Sequence, residues 1–437
     1  MTAPRLPNLF RDPELKDKIL FTLLCLAIYR LGAHIATPGV NVSVLAEFMR
    51  NQAGQTLFGV YDLFVGGGLS RATVLALGIM PYISASIVFQ LAGAVFPTID
   101  KLQKEEDGRK KITQWTRYLT VALAVGQAYG FAVFIESLNA VAMSSLWGFR
   151  MLTVLTLTTG AVYVMWLGEQ ITERGIGNGM SLLIFFSIME GMVPGFFQTI
   201  GFLQTGIITP IKLIVLGAVM LGVIAGVIAM TIAARRIPIQ IPRKVMGRGR
   251  IREGQKTFIP IRINSAGVMP IIFAQSLIIV PGTLAAFTSV PWLRGFADVF
   301  APGTIAYYST YSVLIVFFTY FYTSIIFNPV DLAENLKKQG GFIPGVKPGA
   351  ATADYIDDVL TKVTLPGAVY LALIALLPFW IFDAFNVPFS FGGTALLIVV
   401  GVALDTWIQI QQHLHLRHYD DFMKQGRVKF RGRRRYM

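Results

Sequence analysis

Ten stretches of this chain are each long and apolar enough to cross a lipid bilayer, and that feature limits what the polypeptide can fold into. A helix rises about 1.5 Å per residue, so crossing about 30 Å of hydrocarbon takes about 20 mainly apolar residues. The stretches run approximately over 19–36, 72–96, 115–137, 151–171, 179–199, 211–233, 263–285, 305–327, 363–382 and 392–411. Only 14% of the residues are charged while 54% are hydrophobic, and the mean hydropathy is +0.60. A soluble domain carries about 25% charged residues. A bilayer must therefore act as solvent for this surface. The single cysteine, Cys25, lies inside the first stretch, which excludes a disulfide within the chain.

Orientation follows from the Lys and Arg residues between spans. One side receives 32 of them, in the N-terminus, the loops around 97–117, 172–178, 234–262 and 328–362, and the tail 412–437. The other side receives 5, and Arg30 inside the first span completes the 38. This split puts both termini in the cytoplasm. Positive-inside bias alone can generate the net charge of +14. It accounts less well for nine basic residues against the one acid Glu253 in 234–262, a polar stretch suited to docking.

Ten spans divide into five plus five, and an odd number per half forces the halves into opposite orientations. The expected fold is an all-α polytopic membrane protein, ten transmembrane helices in two pseudo-symmetric inverted halves, 1–201 and 202–437, around a central pore. "GIMPYISASI" from Gly78 and "GVMPIIFAQS" from Gly267 repeat Gly, aliphatic, Met and Pro in the second span of each half. Inverted repeats place the functional path at their interface, often using helices broken by Gly or Pro. Pro81 and Pro270 can equally be kinks that a membrane tolerates.

The usual motifs of chemistry are missing: no GxxxxGK[ST], HExxH, paired-cysteine metal site or GxSxG occurs. His413, His415 and His418 cluster beyond the last span, where a short cationic helix end explains them as well as a metal does. The GxxxG pairs Gly126/Gly130 and Gly222/Gly226 suggest close helix packing. Ion-coupled transport needs buried carboxylates along a route. Here only Arg30, Glu190 and Asp405 fall inside spans, with Glu169 at a span end. A secondary transporter would rest on Glu190 alone, and a membrane enzyme on Arg30 with His34. The pore candidates are aliphatic instead: Ile79 and Ile83 on one face of span 2, Ile184 on span 5, Ile272 on span 7 and Ile398 on span 10. Within any single helix such residues are ordinary packing; a ring gives them a gating role.

The segments "GGGLSRATVLALGIMPYISASIVFQL" (66–91), "MWLGEQITERGIGNGMS" (165–181), "INSAGVMPIIFAQS" (263–276), "NPVDLAENLKKQGGFIPGVKPG" (328–349) and "PFSFGGTALLIVVGVALD" (388–405) resemble the SecY family of bacterial protein-conducting channels. The resemblance runs nearly end to end. It implies a pore ring of Ile79, Ile83, Ile184, Ile272 and Ile398, completed by Met180 or Met269. It implies a plug at about 57–68, hinged flexibly at Gly66, Gly67 and Gly68, and a lateral gate with polar contacts at Gln90, Gln127 and Asn264. Small SecE-like and SecG-like membrane subunits should accompany the chain in the bacterial plasma membrane. No nucleotide site is present, so energy should come from the motor SecA or a translating ribosome, docked on Arg243, Lys244, Arg248, Arg250, Arg252 and Lys347. Signal peptides and unfolded preproteins would pass through. The "GVKPG" turn carries Lys347 where the family commonly has Arg, which keeps charge but loses the bidentate fork. The resemblance implies no catalysis and no cofactor.

Overall fold

The computed structural model describes residues 13–52, 57–206, 209–240, 244–246, 250–252, 256–287, 295, 299–300, 303–385 and 393–425. It is built from helices: α1 (Pro13–Gly32), α2 (Val42–Gln52), α3 (Leu57–Val65), α4 (Met80–Val95), α5 (Pro97–Lys104), α6 (Glu106–Ser137), α7 (Leu146–Arg174), α8 (Gly179–Gln204) and α9 (Pro210–Ile232) precede four short strands. After the strands come α10 (Met269–Phe287), α11 (Ile305–Ile326), α12 (Pro329–Lys338), α13 (Ala350–Phe385) and α14 (Gly393–Gln425). Seven helices, α6 to α9, α11, α13 and α14, are long and apolar enough to cross a bilayer, and α4 with α5 passes as a pair bent by 110°. Helix α1 carries four charges in its first six residues, and the apolar part of α10 is short, Met269–Ile279.

The expected second span begins later than its composition suggests. Residues 72–79 are apolar but form successive turns, and α4 starts only at Met80. The cause is local. Gly78 takes φ +54°, a left-handed conformation that interrupts a helix, and Pro81 comes within the first turn. The second copy repeats this: Gly267 takes φ +62° and α10 starts at Met269 with Pro270 next. Carbonyl bonding matches too. Ile79 O accepts from Tyr82 and Ile83 N–H, both 3.1 Å, and Val268 O from Ile271 and Ile272 N–H, 3.1 and 3.2 Å. These prolines are helix starts, not mid-helix kinks.

Helices α6 and α7 form a hairpin clamped at both ends. Arg117 donates to both carboxylate oxygens of Glu169 (2.9 and 2.8 Å), and Arg150 to both of Glu136 (2.7 and 2.6 Å). Such bidentate pairs fix geometry as well as charge. Across the molecule Phe273 of α10 packs edge-on against Phe318 and Tyr322 of α11, at 5.8 and 5.1 Å between ring centres.

Expectation and structure differ in the basic stretch 234–262. It is not an irregular loop: β1 (Ala234–Gln240) pairs antiparallel with β4 (Lys256–Arg262), and β2 (Lys244–Met246) with β3 (Arg250–Arg252). Ile237, Ile239 and Ile261 turn inward and pack on Leu336 of α12 and Ile356 and Leu360 of α13, a core separate from the main one. Gln240 and Phe342 exchange backbone bonds of 2.9 and 3.0 Å. The stretches 234–262 and 328–362 are therefore one body. A strand period hidden by prolines explains the miss: Pro238 and Pro260 leave the ribbon without donors there, which blunts its edges.

Of the glycine pairs, Gly226 lies tight against Tyr370 of α13, while Gly126 and Gly222 have no neighbour within 4 Å. A tight backbone approach occurs elsewhere: a Cβ on Gly160 of α7 would strike the Val74 carbonyl oxygen. Gly160→Val should therefore cost about 1–3 kcal/mol by overpacking, read as a lower thermal midpoint in detergent. The same change at Gly222 should leave the midpoint in place.

Candidate functional site

The five candidate isoleucines all lie in the main core and none is more than 5% exposed. They sit close after helix starts: Ile83 in the first turn of α4, Ile272 in that of α10, Ile184 and Ile398 each five residues into α8 and α14, and Ile79 capping α4. Asn178 caps α8, its side chain accepting from Met180 and Ser181 N–H at 3.1 and 3.3 Å. The first turns of α4, α8 and α10 thereby meet around a cavity of 140 Å³. Ile83, Met180, Ile184, Met269 and Ile272 line it, with Phe273 and Tyr82 beside them. Ile79 and Ile398 are buried in the same cluster but do not line this cavity.

Tyr82, Ser86, Gln90, Asn178, Ser181 and Tyr322 also stand on the cavity wall. Gln90 donates to Ser86 Oγ (2.9 Å) and accepts from the Tyr322 hydroxyl (2.6 Å), joining α4 to α11. Ser276 of α10 donates to Met80 Sδ at 3.7 Å, a second link across to α4. No charged residue lines the cavity among the described residues. Tyr322 carries no signal in the sequence, because it lies in an aromatic run, "FFTYFYTS". Gln127 and Asn264 are buried, but neither amide of Gln127 nor Asn264 Oδ1 has a hydrogen-bond partner among the described residues. The three expected gate residues thus do not pair with one another.

Two larger spaces of 320 Å³ share walls with this waist. One shares Asn178, Ser181 and Met269 and is polar, with Arg262, Asp405 and Gln409. The other shares Tyr82, Ser86 and Gln90 and lies between α4, α5 and α6. The narrow uncharged space therefore borders two wider ones.

Helix α3 packs against α8 and α10, on the waist helices, and Tyr61 donates to the Leu77 carbonyl at 2.9 Å. The glycines after it form a hydrogen-bonded turn. Gly66 and Gly67 take φ +69° and +75°; Gly67 N–H bonds Asp62 O (2.8 Å) and Gly66 N–H bonds Leu63 O (3.2 Å). This is a Schellman cap, which glycine satisfies best. Asp62 then accepts from Leu69 and Ser70 N–H at 2.8 and 2.9 Å.

In the docking stretch, Lys244 stands opposite Arg252 in the β2–β3 register, with Arg250 opposite Met246; Arg243 and Arg248 lie outside the described residues. Lys347 is exposed in a turn between Gly345 (φ +86°) and Gly349 (φ +108°), its carbonyl accepting from Thr352 Oγ1 at 2.9 Å. His413 is described, and the side chains of His415 and His418 lie outside the described residues; no metal-holding cluster occurs among the described residues.

An uncharged waist between wider spaces, walled in part by membrane-length helices and flanked by a short capped helix, is an arrangement that suits a membrane channel. The SecY family model matches residues 73–407, and the chain belongs to the SecY family. It is 45% identical over 427 residues to the protein translocase subunit SecY of Aquifex aeolicus, covering 96% of this chain and 99% of that one. The Vibrio cholerae protein translocase subunit SecY is 43% identical, with 96% of each chain covered. Solved structures share the fold: a protein conducting channel (TM-score 0.67, 17% identity, 98% of each chain) and canine Sec61 in a ribosome–channel complex (0.62, 17%, 98% of each). A third, 18% identical with TM-score 0.66 over 98% of each chain, was solved to examine how the SecY plug domain stabilises the closed channel.

Aliphatic groups at a constriction resist the passage of water and ions by dewetting, and Ile83 and Ile272 supply such groups here. Ile83→Asn combined with Ile272→Asn should wet the cavity and raise ion conductance of the idle protein in planar bilayers several-fold. Leucine at both positions should keep it closed.

Proposed function

We propose that this chain is the pore-forming subunit of a protein translocase, a passive channel that passes unfolded polypeptides across the membrane and releases apolar segments sideways into lipid. One observation carries the reading: an uncharged waist, with Ile83, Ile184 and Ile272 on its wall, that shares walls with a wide polar space and with a groove beside α4. A passenger chain presents every kind of side chain in turn. Fixed charges at the waist would trap some of them, whereas aliphatic groups seal without binding any.

In this reading the ten spans are α1, α4, α6, α7 and α8 in one half (1–201), and α9, α10, α11, α13 and α14 in the other (202–437), with α5 in the loop after α4. The matched starts at Met80 and Met269 support an inverted repeat. The basic loops put both termini in the cytoplasm of a bacterial inner membrane. Ile79, Ile83, Ile184, Ile272 and Ile398 form the ring with Met180 and Met269, both of which line the cavity; methionine adapts to irregular gaps. Helix α3 is the plug, turning at Gly66, Gly67 and Gly68. The Gln90–Tyr322 bond closes the lateral gate, and the unpartnered Gln127 and Asn264 are free to pair when it parts.

SecE-like and SecG-like subunits cover part of the apolar outer surface, such as the exposed face of α9. SecA or a ribosome docks on the paired strands and the Lys347 turn. The excess of basic residues in 234–262 suits an acidic protein surface or ribosomal RNA phosphate.

Single cysteines at Ile83, Ile184 and Ile398 should each cross-link to a stalled secretory chain; no reaction at all three would remove the ring. Lys347→Glu should abolish preprotein transport into vesicles while the subunit still inserts and assembles, which immunoblotting of the membranes checks.

A further inference from the structure

A cluster of charged side chains lies off the transport route. Glu190 of α8 is only 9% exposed at its side chain, and two arginines meet its Oε1: Arg30 from the last turn of α1, and Arg71 at 3.1 Å. Arg71 also donates to His34 Nε2 (3.4 Å), whose Nδ1–H donates to the Arg30 carbonyl (2.9 Å). Glu190 is thus no free coupling carboxylate. Its charge is matched from two chain segments far apart in sequence.

The position of the second arginine gives the cluster its meaning. Helices α1 and α8 are already joined by the Tyr29 and Ser187 hydroxyls at 2.7 Å. Arg30 adds to a contact that exists without it. Arg71 does something different, because it lies four residues beyond Gly67, in the turns after helix α3. Glu190 Oε2 lies so near Gly66 that a Cβ there would stand 3.3 Å away, and the Ser187 carbonyl would be 3.0 Å away. Asp62, on α3 itself, is tied to Leu69 and Ser70, immediately before Arg71. Displacing α3 while its cap stays formed drags Arg71 from the carboxylate. That leaves Glu190 with one partner in buried surroundings, where an uncompensated charge is costly.

We propose that Glu190 is a positioning residue, a charged latch that holds the Arg71 end of the plug against α1 and α8 and so sets how readily the closed channel opens. This rests on α3 being the plug.

The test uses the whole translocase complex reconstituted in vesicles, with Val60 of α3 replaced by cysteine; the native Cys25 is buried. Glu190→Gln should raise idle ion leak and maleimide labelling of V60C by about five- to ten-fold, as for an ion pair between the exposed and fully buried extremes. Arg71→Gln should do the same, and the two together should exceed neither alone by much, because they break one interaction. Glu190→Asp, which keeps the charge, should raise both signals less. If Glu190→Gln fails to assemble, Arg71→Gln and Arg71→Lys carry the comparison. Unchanged leak and labelling in an assembled neutral variant, or effects of the two that multiply, would overturn the latch. Deleting 57–65 separates the readings: leak that rises on deletion but not on neutralisation removes the latch alone, and leak unchanged by deletion removes the plug.

Discussion

Helices that begin inside apolar surroundings rather than at a wet surface are the constraint on which the rest of this structure depends. The first turn of any helix leaves N–H groups without a partner, and a buried donor left so is costly. Met80 and Pro81 are buried, as is Pro270. Proline at the second helical residue removes one donor outright, and the carbonyl of the residue before the helix, Ile79 or Val268, accepts from two more. Where α8 starts, Asn178 does the same work with its side chain. Three helix starts made tolerable in these ways can converge, and their first turns then present short aliphatic groups to a shared space.

That solution explains why sequence reading succeeded where it did. Apolar length alone located most of the helices, because burying a backbone in hydrocarbon permits little but a helix. It misplaced the start of α4, since residues 72–79 are as apolar as the helix after them and only the Gly78 φ marks the change. The ring positions Ile83, Ile184 and Ile272, with both methionines, do converge on one cavity. Those came from the resemblance; an isoleucine facing a cavity has the same composition as one facing a helix. The strand pairing in 234–262 was lost behind its charges and prolines. The Gln90–Tyr322 bond was half legible, because an amide in a span demands a partner but nothing in the sequence says which.

Polar atoms at a channel waist are compatible with a seal when their hydrogen-bonding capacity is already satisfied. Gln90 uses both ends of its amide, on Ser86 and Tyr322, and Asn178 is committed to the cap of α8. A passing side chain would have to displace an intramolecular bond to hold on, for a net gain near zero. Gln127 and Asn264 are different. They are buried with unsatisfied capacity, a state that natural proteins rarely leave uncompensated.

The same disposition of polar groups separates this protein from a coupled transporter. Coupling needs a titratable group whose charge changes as its surroundings change from one side of the membrane to the other. Glu190 is held by Arg30 and Arg71 together, so it does not stand free to couple. Asp405 and Arg262 face the wide polar space instead of the waist. Charge in this chain therefore stands where it can fasten segments or meet a partner, and is kept from the one place where it could hold a passenger. A channel arranged so can do no work of its own.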